Sequence, residues 1–192
     1  RRNFGAVLVS GAKRVDALPD DGGVIVVMNH PSWWDPLLAY QLTRLLNDRP
    51  HYGAMDSKGI ERYPIFKRLG MLPVDLNDFS SVRKLMREVK RLLNDDLATF
   101  WLTAQGEFVD PRKRPLVLKE GAAILANGMK SGAVLPVAVE YVFRRPSCCL
   151  VTYALIFVAC GIGAVAAVDF ALKRIAVQDT FFHQCLQGRR LR

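Results

Sequence analysis

The chain has 192 residues, of which 51% are hydrophobic, and its 27 lysines and arginines against 18 acidic residues give a formal net charge of +9. This length suits one domain with a substantial core, spanning 1–192, and the charge favours anionic partners. Nucleic acid is disfavoured because no RNA-binding or zinc-knuckle signature is present. Four cysteines without a Cys-x-x-Cys pair, and three histidines, argue against a metal site and favour a reduced, cytosol-facing location.

Short β-branched runs alternate with amphipathic segments, which predicts strands alternating with helices. The predicted strands are 24–28, 51–55, 71–75, 97–103, 134–141 and 150–158, and the predicted helices are 36–47, 80–94, 119–128 and 168–187. An irregular stretch is predicted up to residue 70 and a basic loop over 104–118. This order indicates an α/β fold, a mixed sheet flanked by helices, with functional residues at the carboxyl ends of strands.

The first of these strands is followed directly by a histidine and a carboxylate five positions apart, within Asn29-His30-Pro31-Ser32-Trp33-Trp34-Asp35. Asp35 is predicted to cap the next helix, with Pro36 at the first helical position. Its carboxylate can fix the tautomer of His30, whose other ring nitrogen can then take a proton from a hydroxyl. The alternative is that Asp35 only caps the helix and His30 is an ordinary turn residue.

This motif resembles the first motif of the glycerolipid acyltransferases, the 1-acylglycerol-3-phosphate acyltransferase-like family. The resemblance implies a glycerol-3-phosphate acyltransferase-like fold and transfer of a fatty acyl group from an acyl-CoA or acyl-carrier-protein thioester to a glycerol phosphate or lysolipid hydroxyl. His30 is then the general base and Asp35 its orienting partner, with Asn29 and Ser32 near the substrate. The thioester is a substrate, so no cofactor or metal is implied. Backbone N–H groups at the start of the next helix are candidates to stabilise the oxyanion.

Two further stretches resemble later motifs of that family. Residues 58–75 are similar to its second motif, in which Lys58 is a candidate substrate-binding residue, but Leu76 stands where the family has an arginine associated with the acceptor's phosphate. Residues 103–108 occupy the place of the Pro-Glu-Gly-Thr-Arg motif. Only Gly106 is identical there, while Gln105 replaces the glutamate and can still hydrogen-bond a glycerol-like hydroxyl.

These departures bear on the acceptor. Glu107 would repel a phosphate, and with Leu76 it argues for an acceptor other than plain lysophosphatidic acid. Arg112, in the basic run 112–114, either supplies positive charge to the site or belongs to a solvated loop. Residues 119–126 and 134–139 are similar to the helix and strand that follow in the family. The resemblance therefore covers about 22–141, and 142–192 has no functional assignment.

Membrane contact is expected at the cytoplasmic face, either peripheral or through an N-terminal anchor that precedes this sequence. Helix 80–94 carries five cations opposite its apolar stripe, namely Arg83, Lys84, Arg87, Lys90 and Arg91. That face is either solvated or meets an anionic membrane or substrate. Trp33 and Trp34 either pack under the turn or lie at the lipid interface. The uncharged segment 148–168 is expected to be a buried strand and turn rather than a spanning helix.

Two other functions stay open from the sequence alone. One is a non-catalytic, basic lipid-binding domain at a membrane surface, in which the His30 motif survives only as structure. The other is a related acyltransferase whose acceptor carries no phosphate, such as an aminolipid or a glycolipid.

Overall fold

The computed structural model describes residues 7–10, 12–46, 48–111, 113, 115, 117–144, 149–155 and 159–160. Its strands are β1 (Leu8–Ser10), β2 (Gly23–Met28), β3 (His51–Asp56), β4 (Met71–Val74), β5 (Thr99–Thr103), β6 (Gly132–Val137), β7 (Tyr141–Arg144), β8 (Cys149–Leu155) and β9 (Ala159–Cys160). Its α-helices are α1 (Asp35–Leu42), α2 (Ser57–Arg62), α3 (Ile65–Arg68), α4 (Phe79–Asp95) and α5 (Gly121–Asn127), with 3₁₀ helices at Ala12–Ala17 and Thr43–Leu45.

The main sheet has the strand order β4-β3-β5-β2-β6-β9. Its first five strands are parallel, and β9 pairs antiparallel with β6, so the predicted mixed α/β sheet is confirmed. Every residue of β2 is buried, which explains its unbroken apolar sequence, because a central parallel strand is covered on both faces. Met28 pairs with Thr103 and with Val137, so the carboxyl ends of β2, β5 and β6 meet at one edge.

Helices cover both faces of this sheet. On one face, Val24, Val26 and Met28 pack with α1 and the Ala12–Ala17 turn. On the other, Ile25 and Val27 pack with α4 and α5. Because α1 and α4 pack on opposite faces of the sheet, their outward sides face opposite directions. Helix α4 is capped by Asp78, whose carboxylate accepts from the backbone N–H groups of Ser80 and Ser81.

Three predicted elements differ from the structure. The stretch before β4 is not irregular, because it holds α2 and α3, whose few residues are too short to show a periodic pattern. Helix α1 ends at Leu42 and continues only as a 3₁₀ turn. The predicted strand 134–141 is two strands, β6 and β7, which belong to different sheets, since β7 pairs with β8 in a three-stranded sheet of order β1-β8-β7.

The C-terminal predictions are covered only in part. Strands β8 and β9 lie within the uncharged segment, in keeping with the predicted strand, whereas helix 168–187 falls outside the described residues. In the part of the chain that the structure describes, no helix has the length and apolar character needed to cross a bilayer.

Candidate active site

His30 and Asp35 lie together at the carboxyl end of β2. Nδ1 of His30 is 2.6 Å from Oδ2 of Asp35, whose side chain is only 1% exposed, while the His30 side chain is 19% exposed. A neutral imidazole that donates from Nδ1 to a carboxylate keeps its lone pair on Nε2. The pair thus has the geometry of a general base held by an acid, with the basic nitrogen on the more accessible side chain.

The carboxylate of Asp35 is held by three donors. Oδ2 accepts from Nδ1 of His30 and, at 3.2 Å, from the backbone N–H of Ser32. Oδ1 accepts from the hydroxyl of Tyr141 at 2.5 Å. A buried carboxylate requires such partners, because an unpaired charge away from water is strongly destabilising.

The predicted capping role of Asp35 is wrong. Helix α1 begins at Asp35 itself, Trp34 occupies the cap position without a side-chain capping bond, and Pro36 follows inside the helix. The Oδ2 atom of Asp35 accepts from Nδ1 of His30 and from the N–H of Ser32, both of which precede α1. The expected oxyanion donors are also wrong, since the N–H groups of Asp35, Leu37 and Leu38 are bonded to backbone carbonyls and Pro36 has none.

The segment 104–109 clamps His30 from the neighbouring strand end. The side-chain oxygen of Gln105 accepts the backbone N–H of His30 at 2.8 Å, and the carbonyl of His30 accepts the N–H of Val109 at 3.0 Å. The ring of Phe108 stacks on the imidazole with centroids 4.3 Å apart. The Gln105 oxygen that is predicted to bond an acceptor hydroxyl is therefore engaged by the backbone of His30.

The turn of this segment depends on Gly106. Its φ of +69° favours glycine, and a Cβ there would lie 2.8 Å from Nζ of Lys119. The side chain of Lys119 thus lies over the turn that clamps His30. The sequence places Lys119 in the predicted helix 119–128 and gives no sign that its side chain brings a cation beside the site.

The remaining predicted substrate-binding residues have different placements. Asn29 uses both ends of its amide on the backbone of Val139, donating from Nδ2 to the carbonyl at 2.8 Å and accepting the N–H at 2.7 Å, so it fastens β2 to the chain after β6 and does not face a substrate. The hydroxyl of Ser32 accepts from the backbone of Trp34 at 3.3 Å and shapes the turn. Lys58 is exposed on α2, and Arg112 lies outside the described residues.

Tyr141 was not predicted to belong to the site. Burial is the largest cause raising the pKa of its hydroxyl, followed by the hydrogen bond to Asp35 and the charge of that carboxylate. The hydroxyl therefore stays protonated and donates. A tyrosine at the end of an apolar run carries no sequence signal that would distinguish it from a core residue.

A cavity of about 330 Å³ lies against α1, on the face of the main sheet that α1 covers. It is lined along the helix by Pro36, Ala39, Tyr40 and Thr43, and across from it by residues of β3, β4 and β5 that include His51, Gly53, Met71 and Trp101. A Cβ at Gly53 would lie 2.8 Å from Sδ of Met71, so glycine allows the Met71 side chain to pack there. Burial and then the charge of Arg49 lower the pKa of His51, which accepts a hydrogen bond from the Trp101 indole at 3.2 Å.

Comparison with known proteins adds to this geometry. The family model described as Acyltransferase matches residues 8–140. None of the curated proteins matches the sequence. The crystal structure of the 1-acyl-sn-glycerophosphate (LPA) acyltransferase PlsC from Thermotoga maritima is similar in fold, with a TM-score of 0.62 and 17% sequence identity, over 92% of this chain and 73% of that one.

Proposed function

Since the chain belongs to the acyltransferase family, we propose that it transfers a fatty acyl group from a thioester to a hydroxyl of a glycerol phosphate or lysolipid. The observation that carries this proposal is the 2.6 Å contact between Nδ1 of His30 and Oδ2 of Asp35 at the carboxyl end of β2. This contact leaves Nε2 of His30 available as a base. The reaction then requires no nucleophilic side chain from the protein. The hydroxyl of the acceptor is the nucleophile.

The proton moves in two steps at Nε2 of His30. As the acceptor oxygen attacks the thioester carbonyl, Nε2 takes the hydroxyl proton, and the carboxylate of Asp35 stabilises the imidazolium that forms. When the tetrahedral intermediate collapses, the C–S bond breaks and the ring donates the same proton to the leaving thiolate. The dyad is then ready for a second turnover, with no cofactor or metal in the scheme.

The acyl chain of the donor has a place to lie in the cavity along α1. The cavity lining includes Pro36, which follows Asp35 directly in the chain, and is largely apolar. Each methylene moved from water into such a site contributes about 0.8 kcal/mol. We expect acyl-CoA or acyl-carrier protein to be the donor, as a substrate and not as a bound cofactor.

The acceptor is the less constrained substrate. Leu76, in the position of the family's arginine, is exposed and uncharged, and the Gln105 oxygen is engaged by the backbone of His30. Both observations favour a second candidate function, which is the same acyl transfer to a different acceptor. That acceptor is a lysolipid that lacks a phosphate monoester, such as an aminolipid or a glycolipid.

Thiol release measured with a panel of substrates tests the reaction and the acceptor together. We expect acceptor-dependent release from acyl-CoA or acyl-carrier protein, with the acylated product identified by mass spectrometry. The panel holds glycerol 3-phosphate, lysophosphatidic acid, lysophospholipids without a phosphate monoester, and lyso-glycolipids, and each acceptor is tested with donor thioesters of increasing acyl-chain length. The protein with His30 replaced by alanine is the blank. If no acceptor raises release above that blank, the proposed reaction is wrong.

A membrane surface is the second partner that we propose, and it lies on the α1 side. We define the aromatic surface as Trp33, Leu37, Tyr40, Tyr63 and Ile65, all of them exposed, with Trp33 at 45% and Ile65 at 55%. The ring of Trp33, in the turn before α1, lies 5.5 Å from the ring of Tyr63, which follows α2, and 5.8 Å from the ring of buried Phe66 in α3. Clustered exposed aromatics of this kind mark interaction sites and suit the headgroup level of a bilayer.

The charge around the aromatic surface fits anionic lipid. Residues 57–70 carry four cations, Lys58, Arg62, Lys67 and Arg68, against one acid, Glu61. By contrast, two of the five cations on α4, the face that the sequence offers as a membrane contact, bond or pack against other residues of the protein. Arg91 pairs with Glu88 at 2.9 Å and Asp96 at 3.1 Å, and the side chain of Lys90 packs over Gly128. Because α4 covers the opposite face of the sheet, one flat bilayer cannot meet both surfaces.

Vesicle binding by two charge-matched double variants distinguishes these surfaces. We expect Arg62→Gln with Lys67→Gln to weaken partition into anionic vesicles by roughly thirtyfold at low salt, since each cation near such a surface contributes about 1 kcal/mol. The difference should fade as salt is added. Lys84→Gln with Arg87→Gln, which removes the same charge from α4, is the control and should change partition little. Equal losses in both variants would mean that only net charge matters, and a loss confined to the α4 variant would place the membrane on that helix.

A further inference from the structure

The side chain of Tyr141 joins the second sheet to the catalytic pair. Tyr141 is the first residue of β7, and β7 pairs with β8 outside the main sheet. Its hydroxyl nevertheless donates to Oδ1 of Asp35 at 2.5 Å, between residues 106 positions apart in the chain. The oxygen that it contacts is the one that His30 does not use.

This division of the carboxylate has a geometric consequence. With Oδ2 bonded to His30 and Ser32 and Oδ1 bonded to Tyr141, the plane of the Asp35 carboxylate is fixed from both ends. Without the bond to Oδ1, the carboxylate can turn about its last torsion angle, because such terminal torsions are broad. The direction of Oδ2 toward the imidazole would then be less well defined.

The position of Tyr141 is itself anchored to the same motif. Val139, two residues earlier, is bonded at both its N–H and its carbonyl by the side chain of Asn29, which precedes His30. The chain after β6 is therefore attached to the His30 turn at one point through Asn29 and at another through Tyr141. The residue predicted to touch substrate, Asn29, instead sets the place from which Tyr141 reaches Asp35.

We propose that Tyr141 is a positioning residue of the acyl transfer reaction, which aims the carboxylate of Asp35 at His30 and shares its negative charge. The inference rests on the proposed function of the pair, and it assigns a role to a residue outside the main sheet. A donor to Oδ1 disperses the carboxylate charge, so the imidazolium is held less strongly than it would be by an unshared carboxylate. Tyr141 thus keeps His30 oriented through the carboxylate that both residues contact.

The other ionisable groups near His30 in the described part of the chain are few. Asp35 comes from α1 and Tyr141 from β7. Exposed Glu107 belongs to the segment that stacks Phe108 on the ring, and Lys119 lies over Gly106 of the same segment. Of these groups, Tyr141 donates to Asp35, which is bonded to His30, so a change at Tyr141 acts on His30 through Asp35.

Tyr141→Phe tests this role while keeping the ring in place. We expect kcat to fall roughly ten- to a hundredfold, the range expected for a hydrogen bond to a charged group, with KM nearly unchanged because the hydroxyl does not touch substrate. The acidic limb of the pH–rate profile should move to higher pH, since an unshared carboxylate favours the protonated ring. Thr99→Val is the matched control. It also removes a buried hydroxyl, one without a hydrogen-bond partner among the described residues, and it should leave both quantities unchanged.

Two further measurements separate the possible failures. If Tyr141 acts through Asp35, adding Tyr141→Phe to Asp35→Asn should slow the enzyme no further than Asp35→Asn alone. Additive losses, or an unmoved pH profile with normal kcat, would overturn the inference. An NMR titration of the His30 ring reads the same effect without turnover, and its midpoint should rise in the Tyr141→Phe protein. An absent shift there refutes the role of Tyr141 even if the proposed reaction fails, whereas a shift without any acyl transfer refutes the reaction alone.

Discussion

Replacement of His30 by alanine is expected to lower acyl transfer by roughly 10²–10⁴-fold, which is the usual contribution of a positioned general base. In the proposed mechanism Nε2 of His30 takes the hydroxyl proton, and no other imidazole in the described chain lies beside Asp35. Steady-state thiol release with a saturating acyl thioester measures the loss. Since the role is proton transfer, the loss should appear in kcat with little change in KM.

The fold should survive this substitution. The His30 side chain is partly exposed, and Asp35 keeps the hydroxyl of Tyr141 and the N–H of Ser32 as partners when the ring is removed. Circular dichroism and vesicle binding are therefore expected to match the unmodified protein. His30→Gln, which retains a polar side chain but no base at neutral pH, should be equally inactive. Turnover within a few-fold of normal in either variant would remove His30 from the mechanism.

Asp35→Asn is expected to damage both activity and stability, at least a hundredfold in kcat and about 1–3 kcal/mol in the free energy of unfolding. The amide offers one oxygen where the carboxylate offers two, so one or more of its three buried donors would meet an N–H group. The imidazolium formed in the reaction would also lose its counter-charge. Urea denaturation and thiol release, measured on the same preparation, give the two quantities.

Asp78→Asn is the matched control for this change. Asp78 caps α4 at an exposed position, and asparagine caps helices about as well as aspartate, so neither activity nor stability should change appreciably. If Asp35→Asn instead lowered activity while leaving the unfolding free energy as unaffected as Asp78→Asn does, the three bonds to the carboxylate would not all contribute in solution. If stability fell without any loss of kcat, Asp35 would serve only the fold.

Local patterns were sufficient for several elements. The run Val24 to Val27 predicted a buried strand from its short, β-branched and uncharged sequence, and the structure buries it on both faces. Helix α4 was predicted to within one residue at each end, since its apolar spacing and the Asp78 cap are contained in its own sequence. The contact of His30 with Asp35 was predictable for the same reason: a strand end and the following helix start lie close together whatever the rest of the fold does.

Other features of the site depend on residues far apart in the sequence. The bonds of Asn29 to Val139 and of Asp35 to Tyr141 span 110 and 106 positions, and the bond of Gln105 to His30 spans 75. The split of the predicted strand 134–141 into β6 and β7 was equally hidden, because the sequence between them has no glycine or proline and only Glu140 interrupts its apolar residues.

The sequence by itself thus determined the α/β order of elements, the buried strand 24–28 and the closeness of His30 to Asp35. Each of these depends on residues within a few positions of one another. Only the tertiary structure decided that Asp35 is held by Tyr141 instead of capping a helix, that Gln105 and Asn29 hold backbone, and that exposed aromatic side chains gather on the α1 side. Whether a polar side chain bonds to substrate or to protein depends on which distant strand lies beside it, and parallel strand order is set by packing across the whole sheet.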